Sequence, residues 1–110
     1  MKKVPTRGDI ILCNFSPTTG HEQSGLRPAL VLSNTELNNL TNMVTVCPIT
    51  SAVRNSYFEV KIDNKKTKGV ILIYHIKSID FVARKIKIVD KADDNILKEV
   101  TDKVRVLIEG

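Results

Sequence analysis

The sequence predicts a small α+β domain that is mainly β, in which short strands form a compact barrel and a C-terminal helix closes one end. Strand-like runs separated by turn residues dominate the chain. The C-terminal segment instead repeats apolar residues at helical spacing. The 110 residues, 42% of them hydrophobic, are enough for one modest core. We therefore expect a single domain over residues 1–110.

Six runs are predicted to be strands, because apolar and β-branched residues alternate or cluster in them between turn signals. In Tyr57–Ile62 the even-numbered residues should face the core and the odd-numbered ones, Glu59 among them, should face away. Val70–Ile76 is apolar and β-branched, which is typical of a buried central strand. The six runs are Asp9–Phe15, Ala29–Ser33, Met43–Ile49, Tyr57–Ile62, Val70–Ile76 and Lys85–Val89.

Two helices are predicted. Asn34 can cap a short helix or turn over Asn34–Leu40, and Asp93 or Asp94 can cap a longer C-terminal helix. The polar face of the C-terminal helix, which includes Lys103, is expected to be solvated. Its apolar face is formed by Ile96, Leu97, Val100, Val104 and Leu107.

Composition limits the partners and the compartment. The formal net charge of +5 favours a polyanionic partner, although a charge of this size is also ordinary for solubility. Aromatic residues make up only 5% of the chain and Trp is absent, which argues against a platform of stacked bases. No run approaches the ~20 apolar residues of a membrane span, and the basic N-terminus does not read as a signal peptide. We therefore expect a cytoplasmic protein that has no membrane partner.

Cysteine and histidine usage predicts neither a disulfide nor a metal site. Cys13 and Cys47 lie in apolar, strand-like surroundings and are interpreted as small buried residues in a reducing cytosol. Neither C-x-x-C nor H-x-x-x-H spacing occurs, so zinc is not expected. The twelve acidic residues are scattered rather than clustered as Mg²⁺ ligands. The sequence therefore predicts no cofactor and no metal.

The turn-rich loop over residues 17–28 carries the most specific chemistry. Gly and Pro mark it as a loop, yet His21, Glu22 and Arg27 stand within seven residues of one another. A carboxylate beside a fixed cation suits phosphate-ester chemistry, since Glu22 can accept a proton and Arg27 can neutralise a phosphate.

The order of motifs resembles the MazF/PemK (Kid) family of toxin endoribonucleases over nearly the whole chain. The segments that carry the resemblance are Arg7-Gly8-Asp9-Ile10, residues 17–23, Arg27-Pro28-Ala29-Leu30-Val31-Leu32, Cys47-Pro48-Ile49-Thr50-Ser51 and Lys77-Ser78-Ile79-Asp80. The resemblance implies an SH3-like barrel, a homodimer, single-stranded RNA as substrate, and a cognate antitoxin with an acidic, disordered tail.

The resemblance also implies roles for particular residues. Glu22 would be the general base, Arg27 the charge stabiliser and a candidate general acid, and Thr50 a hydrogen-bond donor to the phosphate. The expected products carry a 2′,3′-cyclic phosphate and a 5′-hydroxyl. RNA contacts are expected from Phe15, Thr18, His21, Gln23, Ser51, Arg54, His75 and Lys77.

Plainer interpretations stand beside these roles. Glu22 can cap its loop, Arg27 can clamp the structure, and Thr50 can simply end a strand. His21 can be an exposed loop residue, and Phe15 can belong to the core.

The chain departs from the family pattern where the Kid branch carries a catalytic Arg and Asp, because Leu72 and Tyr74 stand there. His75 occupies a position that is usually Gln and can donate and accept hydrogen bonds in its place. These departures leave open the alternative that the chain binds nucleic acid but no longer cleaves it. A gyrase-poison-type interaction protein of the same fold is disfavoured, because such relatives end in a helix with a Trp and this chain has none.

Overall fold

The structure is a computed structural model that describes residues 3–15, 20 and 25–110. The described residues form seven strands, two α-helices and one turn of 3-10 helix, Ile73–His75. The strands are β1 (Asp9–Asn14), β2 (Leu26–Val31), β3 (Met43–Thr50), β4 (Glu59–Asp63), β5 (Lys68–Leu72), β6 (Lys77–Asp80) and β7 (Lys87–Lys91), and the helices are α1 (Thr35–Thr41) and α2 (Asp94–Glu109).

All seven strands belong to one curled, antiparallel sheet with the order β4-β5-β3-β2-β1-β7, and β6 also pairs with β3. The long strand β3 joins its two halves. Residues Met43–Val46 pair with β6, and Ile49 and Thr50 pair with β5. This half-barrel with a C-terminal helix confirms the predicted fold class.

Each face of the sheet packs against its own group of apolar residues. The first core includes Ile10, Leu30 and Ile71, and α2 covers it with the apolar face predicted from its spacing. The second core lies on the other face. It is formed by Ile11, Cys13, Phe15, Ala29, Val31, Val44, Val46, Ile79 and Phe81.

Both helix starts are as predicted. The Asn34 side chain accepts the N–H of Leu37 at 2.8 Å, and the Asp93 side chain accepts the N–H of Ile96 at 2.8 Å. Within the described part of the chain, no helix is both long and apolar enough to span a membrane.

The prediction of a single strand over Val70–Ile76 is wrong beyond Leu72. The chain turns through the 3-10 helix Ile73–His75 and then starts β6, which pairs with a different part of β3. A continuous apolar run cannot reveal this break, because Ile73 is as fully buried as Leu72 before it.

The far ends of the sheet are joined by side chains of the β4–β5 hairpin. Asn64 Nδ2 donates to the Lys91 carbonyl at 3.0 Å, and Thr67 Oγ1 donates to Asp90 Oδ2 at 3.0 Å. These bonds link the hairpin to β7, at the opposite end of the strand order, and so hold the curl of the sheet.

Candidate active site

Two predicted catalytic residues, Arg27 and Thr50, lie at the same end of the β2–β3 pair. The ladder between these strands ends with Ala29 opposite Pro48, and each predicted residue lies two positions beyond that pair on its own strand. Side chains alternate along a strand, and paired residues share a face. Both side chains therefore lie on the face of the second core, opposite α2.

Thr50 is held closely by its neighbours. Its side chain is buried, and Oγ1 accepts the N–H of Ala52 at 3.2 Å. Gly69 of β5, with a φ of +147°, approaches so near that a Cβ atom there would overlap the Thr50 carbonyl oxygen. Because Oγ1 accepts from Ala52, the hydroxyl can donate its own hydrogen to a phosphate oxygen.

Further positive charge lies on the same face. Cys13 of β1 stands opposite Arg27. Burial raises the pKa of the Cys13 thiol, while the positive charges of Arg84 and Lys77 lower it. Together with Arg27, these cations give the face a positive charge, which suits a polyanion.

The structure distinguishes Phe15 from the other predicted RNA-contact residues. Its ring is fully buried in the second core, as the core interpretation expects, and Lys77 Nζ lies 5.5 Å from its centroid. His75 is half-buried in the 3-10 helix, and its ring centroid lies 4.6 Å from that of the exposed Tyr74. Leu72 is wholly buried in β5.

Ser51 and Arg54 are exposed on segment 51–58, which connects β3 to β4. The backbone of this segment is anchored, because the Arg54 N–H donates to both carboxylate oxygens of Glu59, at 3.1 and 3.2 Å. Lys103 of α2 contacts the end of the segment. Neither anchor was predicted from the sequence, since alternation places Glu59 on the side away from the core and helical spacing places Lys103 on the solvated face.

A third residue that the sequence analysis missed, Lys61, shares the face of Thr50. Lys61 of β4 pairs with Val70 of β5, and Val70 pairs with Thr50 of β3. Neighbouring strands lie about 4.8 Å apart, so the Cα atoms of Lys61 and Thr50 are about 10 Å apart. Only the strand pairing, which the sequence does not display, brings this exposed lysine into the row of Thr50.

The predicted residues Thr18, His21, Glu22 and Gln23 lie outside the described residues. The described positions on either side of them are joined, because the Phe15 N–H donates to the Gly25 carbonyl at 2.9 Å. The chain therefore leaves β1 and enters β2 at the end of the sheet where Arg27 lies.

Metal-ligand residue types are dispersed in the described part of the chain. No group of three or more His, Cys, Asp or Glu residues there is arranged to hold a metal ion. Cys13 and Cys47 are buried free thiols, which confirms their predicted burial. Burial raises the pKa of Cys47 to about 12.

Comparisons with known proteins agree on one family. The model of the family described as "PemK-like, MazF-like toxin of type II toxin-antitoxin system" matches residues 6–108. Endoribonuclease toxin MazF of Escherichia coli (strain K12) is 43% identical over 81 residues, which cover 74% of this chain and 73% of that protein.

Solved structures agree as well. MazF from Deinococcus radiodurans superposes with a TM-score of 0.93 at 36% identity, covering 99% of this chain and 100% of the other. A chain of a MazE-MazF complex from the same organism has a TM-score of 0.87 at 37% identity, with 98% of both chains covered.

Proposed function

The chain belongs to the PemK-like, MazF-like family of type II toxin–antitoxin toxins and is a toxin endoribonuclease, and we propose that it cleaves single-stranded RNA sequence-specifically and without a metal ion. The observation that carries this mechanism is the position of Arg27 and Thr50 on one face, at one end of β2 and β3. A cation and a hydroxyl donor there suit a phosphate whose negative charge grows during the reaction.

The proposed reaction is a transesterification within the RNA. Glu22 accepts the proton of the 2′-hydroxyl, the 2′-oxygen attacks phosphorus, and the bond from phosphorus to the 5′-oxygen breaks. Arg27 and Thr50 stabilise the extra negative charge, and Arg27 is the candidate proton donor to the leaving oxygen. The products carry a 2′,3′-cyclic phosphate and a 5′-hydroxyl.

RNA on either side of the scissile phosphate is proposed to contact the loops around this face. Arg54 and Lys77 supply charge for neighbouring phosphates. The exposed cation Lys61, in the row of Thr50, extends this path across the sheet. Ser51 and His75, with Thr18, His21 and Gln23 of the first loop, are the proposed hydrogen-bonding partners of the bases.

We propose that the chain acts in the cytoplasm as a homodimer and is neutralised by a cognate antitoxin. A solved structure of a relative is a MazE-MazF complex, and the net charge of +5 suits an acidic, disordered tail. Exposed apolar side chains, including Val82 and Ile108, are consistent with further protein contacts.

The test is cleavage of a long, mixed-sequence RNA in EDTA. We expect discrete fragments that end in 2′,3′-cyclic phosphate. Glu22→Gln should lower the rate by at least about 10²-fold, and Arg27→Met by about 10²–10³-fold. Thr50→Val should lower it by about tenfold, the value of one neutral hydrogen bond.

The matched control is Arg105→Met, which removes the same charge from the exposed side of α2, where Arg105 pairs with Glu109. It should cleave like the wild type. Binding of the RNA without cleavage by the wild type would refute the catalytic mechanism and favour the binding-only alternative. Cleavage that survives both Glu22→Gln and Arg27→Met would show that other residues carry the chemistry.

A further inference from the structure

We propose that Glu59 and Lys103 are positioning residues, which hold segment 51–58 on the face of Thr50 in the conformation that binds RNA. This inference rests on the proposed function, in which Ser51 and Arg54 of the segment contact RNA. Neither positioning residue touches the reacting atoms in this arrangement. Their role is to fix the backbone from which the RNA-contacting side chains project.

The strand register places Glu59 on the active face. Glu59 pairs with Leu72, and the next pair on that face is Lys61 with Val70, which is itself opposite Thr50. The Glu59 side chain therefore points to the side on which the catalytic hydroxyl lies. Because its carboxylate accepts the Arg54 N–H, segment 51–58 crosses this face.

The Glu59 carboxylate is an unusual group to find at 8% exposure. Removing a carboxylate from water is costly unless hydrogen bonds compensate. Here the Arg54 N–H bonds both of its oxygens, at 3.1 and 3.2 Å. A charge-assisted bond of this kind contributes about twice as much as a neutral one, so it fixes the middle of the segment.

Lys103 fixes the end of the segment from α2. Its Nζ donates to the Glu59 carbonyl at 3.2 Å and lies 4.6 Å from the ring centroid of Tyr57. Its side chain is only 16% exposed, whereas that of Lys98 on the same helix is 78% exposed. The ammonium group also pairs with Glu99 of the same helix at 3.5 Å, so its partners are one carboxylate of α2, the Glu59 carbonyl and the Tyr57 ring of the segment.

The backbone of segment 51–58 is held at its start by the Thr50–Ala52 bond, in its middle by Glu59, and at its end by the Ile73 N–H, which donates to the Phe58 carbonyl at 2.9 Å. Lys103 adds a bond to the adjoining Glu59 carbonyl. The side chains between the anchors remain outside, since Val53 is 49% and Tyr57 56% exposed. Fixing the backbone before RNA arrives removes part of the ordering cost that binding would otherwise include. Loss of an anchor should therefore weaken RNA binding while the chemical step is preserved.

The experiment compares Glu59→Ala, Glu59→Gln and Lys103→Met with Lys98→Met as the matched control. Steady-state cleavage of a short RNA that contains a mapped site gives kcat and KM. We expect Glu59→Ala and Lys103→Met to raise KM about tenfold and to leave kcat within about twofold. Glu59→Gln should restore most of the affinity, because its amide oxygen still accepts the Arg54 N–H, and Lys98→Met should match the wild type.

Amide hydrogen exchange supplies a readout that does not depend on cleavage. The Arg54 amide should exchange slowly in the wild type and in Glu59→Gln, and at least about tenfold faster in Glu59→Ala. If the wild type binds RNA but does not cleave it, the proposed function fails, and the dissociation constants of the same variants test the inference alone.

Two results would overturn the inference. One is an unchanged KM in Lys103→Met. The other is slow exchange at Arg54 in folded Glu59→Ala. If Glu59→Ala does not fold, the comparison of Lys103→Met with Lys98→Met decides the matter.

Discussion

Gly69→Ala tests whether the position of Thr50 depends on the close approach of β5. A Cβ atom on Gly69 would overlap the Thr50 carbonyl oxygen, lie 3.0 Å from its carbon and lie 3.5 Å from the Ser51 nitrogen. These are backbone atoms, so no rotamer change can relieve the overlap. Non-bonded atoms are ordinarily about 3.5 Å apart, so the peptide that links Thr50 to Ser51 must move by about 1 Å.

The displacement should reduce both catalysis and stability. A misplacement of about 1 Å in a catalytic group can cost about 10²-fold in rate, so we expect kcat to fall by about that factor. The φ of +147° adds strain of about 1–3 kcal/mol for a residue with a side chain, and the overlap adds about 1–3 kcal/mol. Together, at about 2–6 kcal/mol, they should lower the melting temperature by roughly 10–25 °C.

The control for this prediction is Gly8→Ala. Gly8 also has a positive φ, of +96°, but the nearest atom to its Cβ would be Leu97 Cδ1 at 2.9 Å, the end of a flexible side chain. Gly8 precedes β1 and donates to the Val31 carbonyl, at the end of β2 remote from Arg27. Gly8→Ala should therefore lose stability and keep its kcat.

Both variants are assayed for RNA cleavage at a temperature at which circular dichroism shows them folded. A wild-type kcat in folded Gly69→Ala would refute the reasoning, because the proposed catalytic hydroxyl of Thr50 would then tolerate the shift of its own peptide. An equal loss of kcat in Gly8→Ala would refute it as well, since lost stability alone would then lower activity.

Two further predictions concern charge and ionisation. Lys61→Ala should weaken RNA binding and reduce the salt dependence of the binding constant by about one counterion. Lys65→Ala, at the tip of the same hairpin, should do neither. Equal effects of the two substitutions in salt titrations would contradict an RNA path across β4. Burial raises the pKa of Cys47 from 9.0 to about 12, so the unfolded thiol ionises first and stability, fully present below about pH 9, falls as pH rises towards 12. This loss reaches about 1.4 kcal/mol per pH unit. The unfolding free energy, measured by urea unfolding at several pH values above 9, should therefore fall less steeply with pH in Cys47→Ala than in the wild type.

Local signals in the sequence were sufficient for most of the elements and for both helix starts. The caps at Asn34 and Asp93 were predicted because a side-chain oxygen followed by a helical pattern has few other uses. The apolar spacing of α2 was equally direct. The predicted strand Val70–Ile76 failed because its break at Ile73 depends on which strand the chain pairs with next, and that is a non-local property.

The site was predictable where a motif carries it and not where packing does. Arg27 and Thr50 were identified from their segments, and the structure brings them to one end of one strand pair. Glu59 and Lys103 had no distinguishing signal. Each occupies a polar position in a regular pattern, and solvation is the ordinary interpretation of such a position. Segment 51–58 contacts both residues, and its own sequence has little periodicity from which its position could be predicted.

The end of the β2–β3 ladder explains why the candidate site lies where it does. Pairing between these strands ends at Ala29 and Pro48, and the next residue of β2, Pro28, has no N–H to donate to β3. On its other edge β3 pairs first with β6 and then, from Ile49, with β5. Beyond this last pair, β2 and β3 continue without a ladder between them. Arg27 and Thr50 lie on these unpaired ends of the two strands. A site between them requires that the ladder stop there, because a continued ladder would hold the two strands about 4.8 Å apart. Strand β5 lies on the other edge of β3, where Gly69 comes against the Thr50 carbonyl. Thr50 therefore has the open end of the ladder, with Arg27, on one side and the tightly packed β5 on the other.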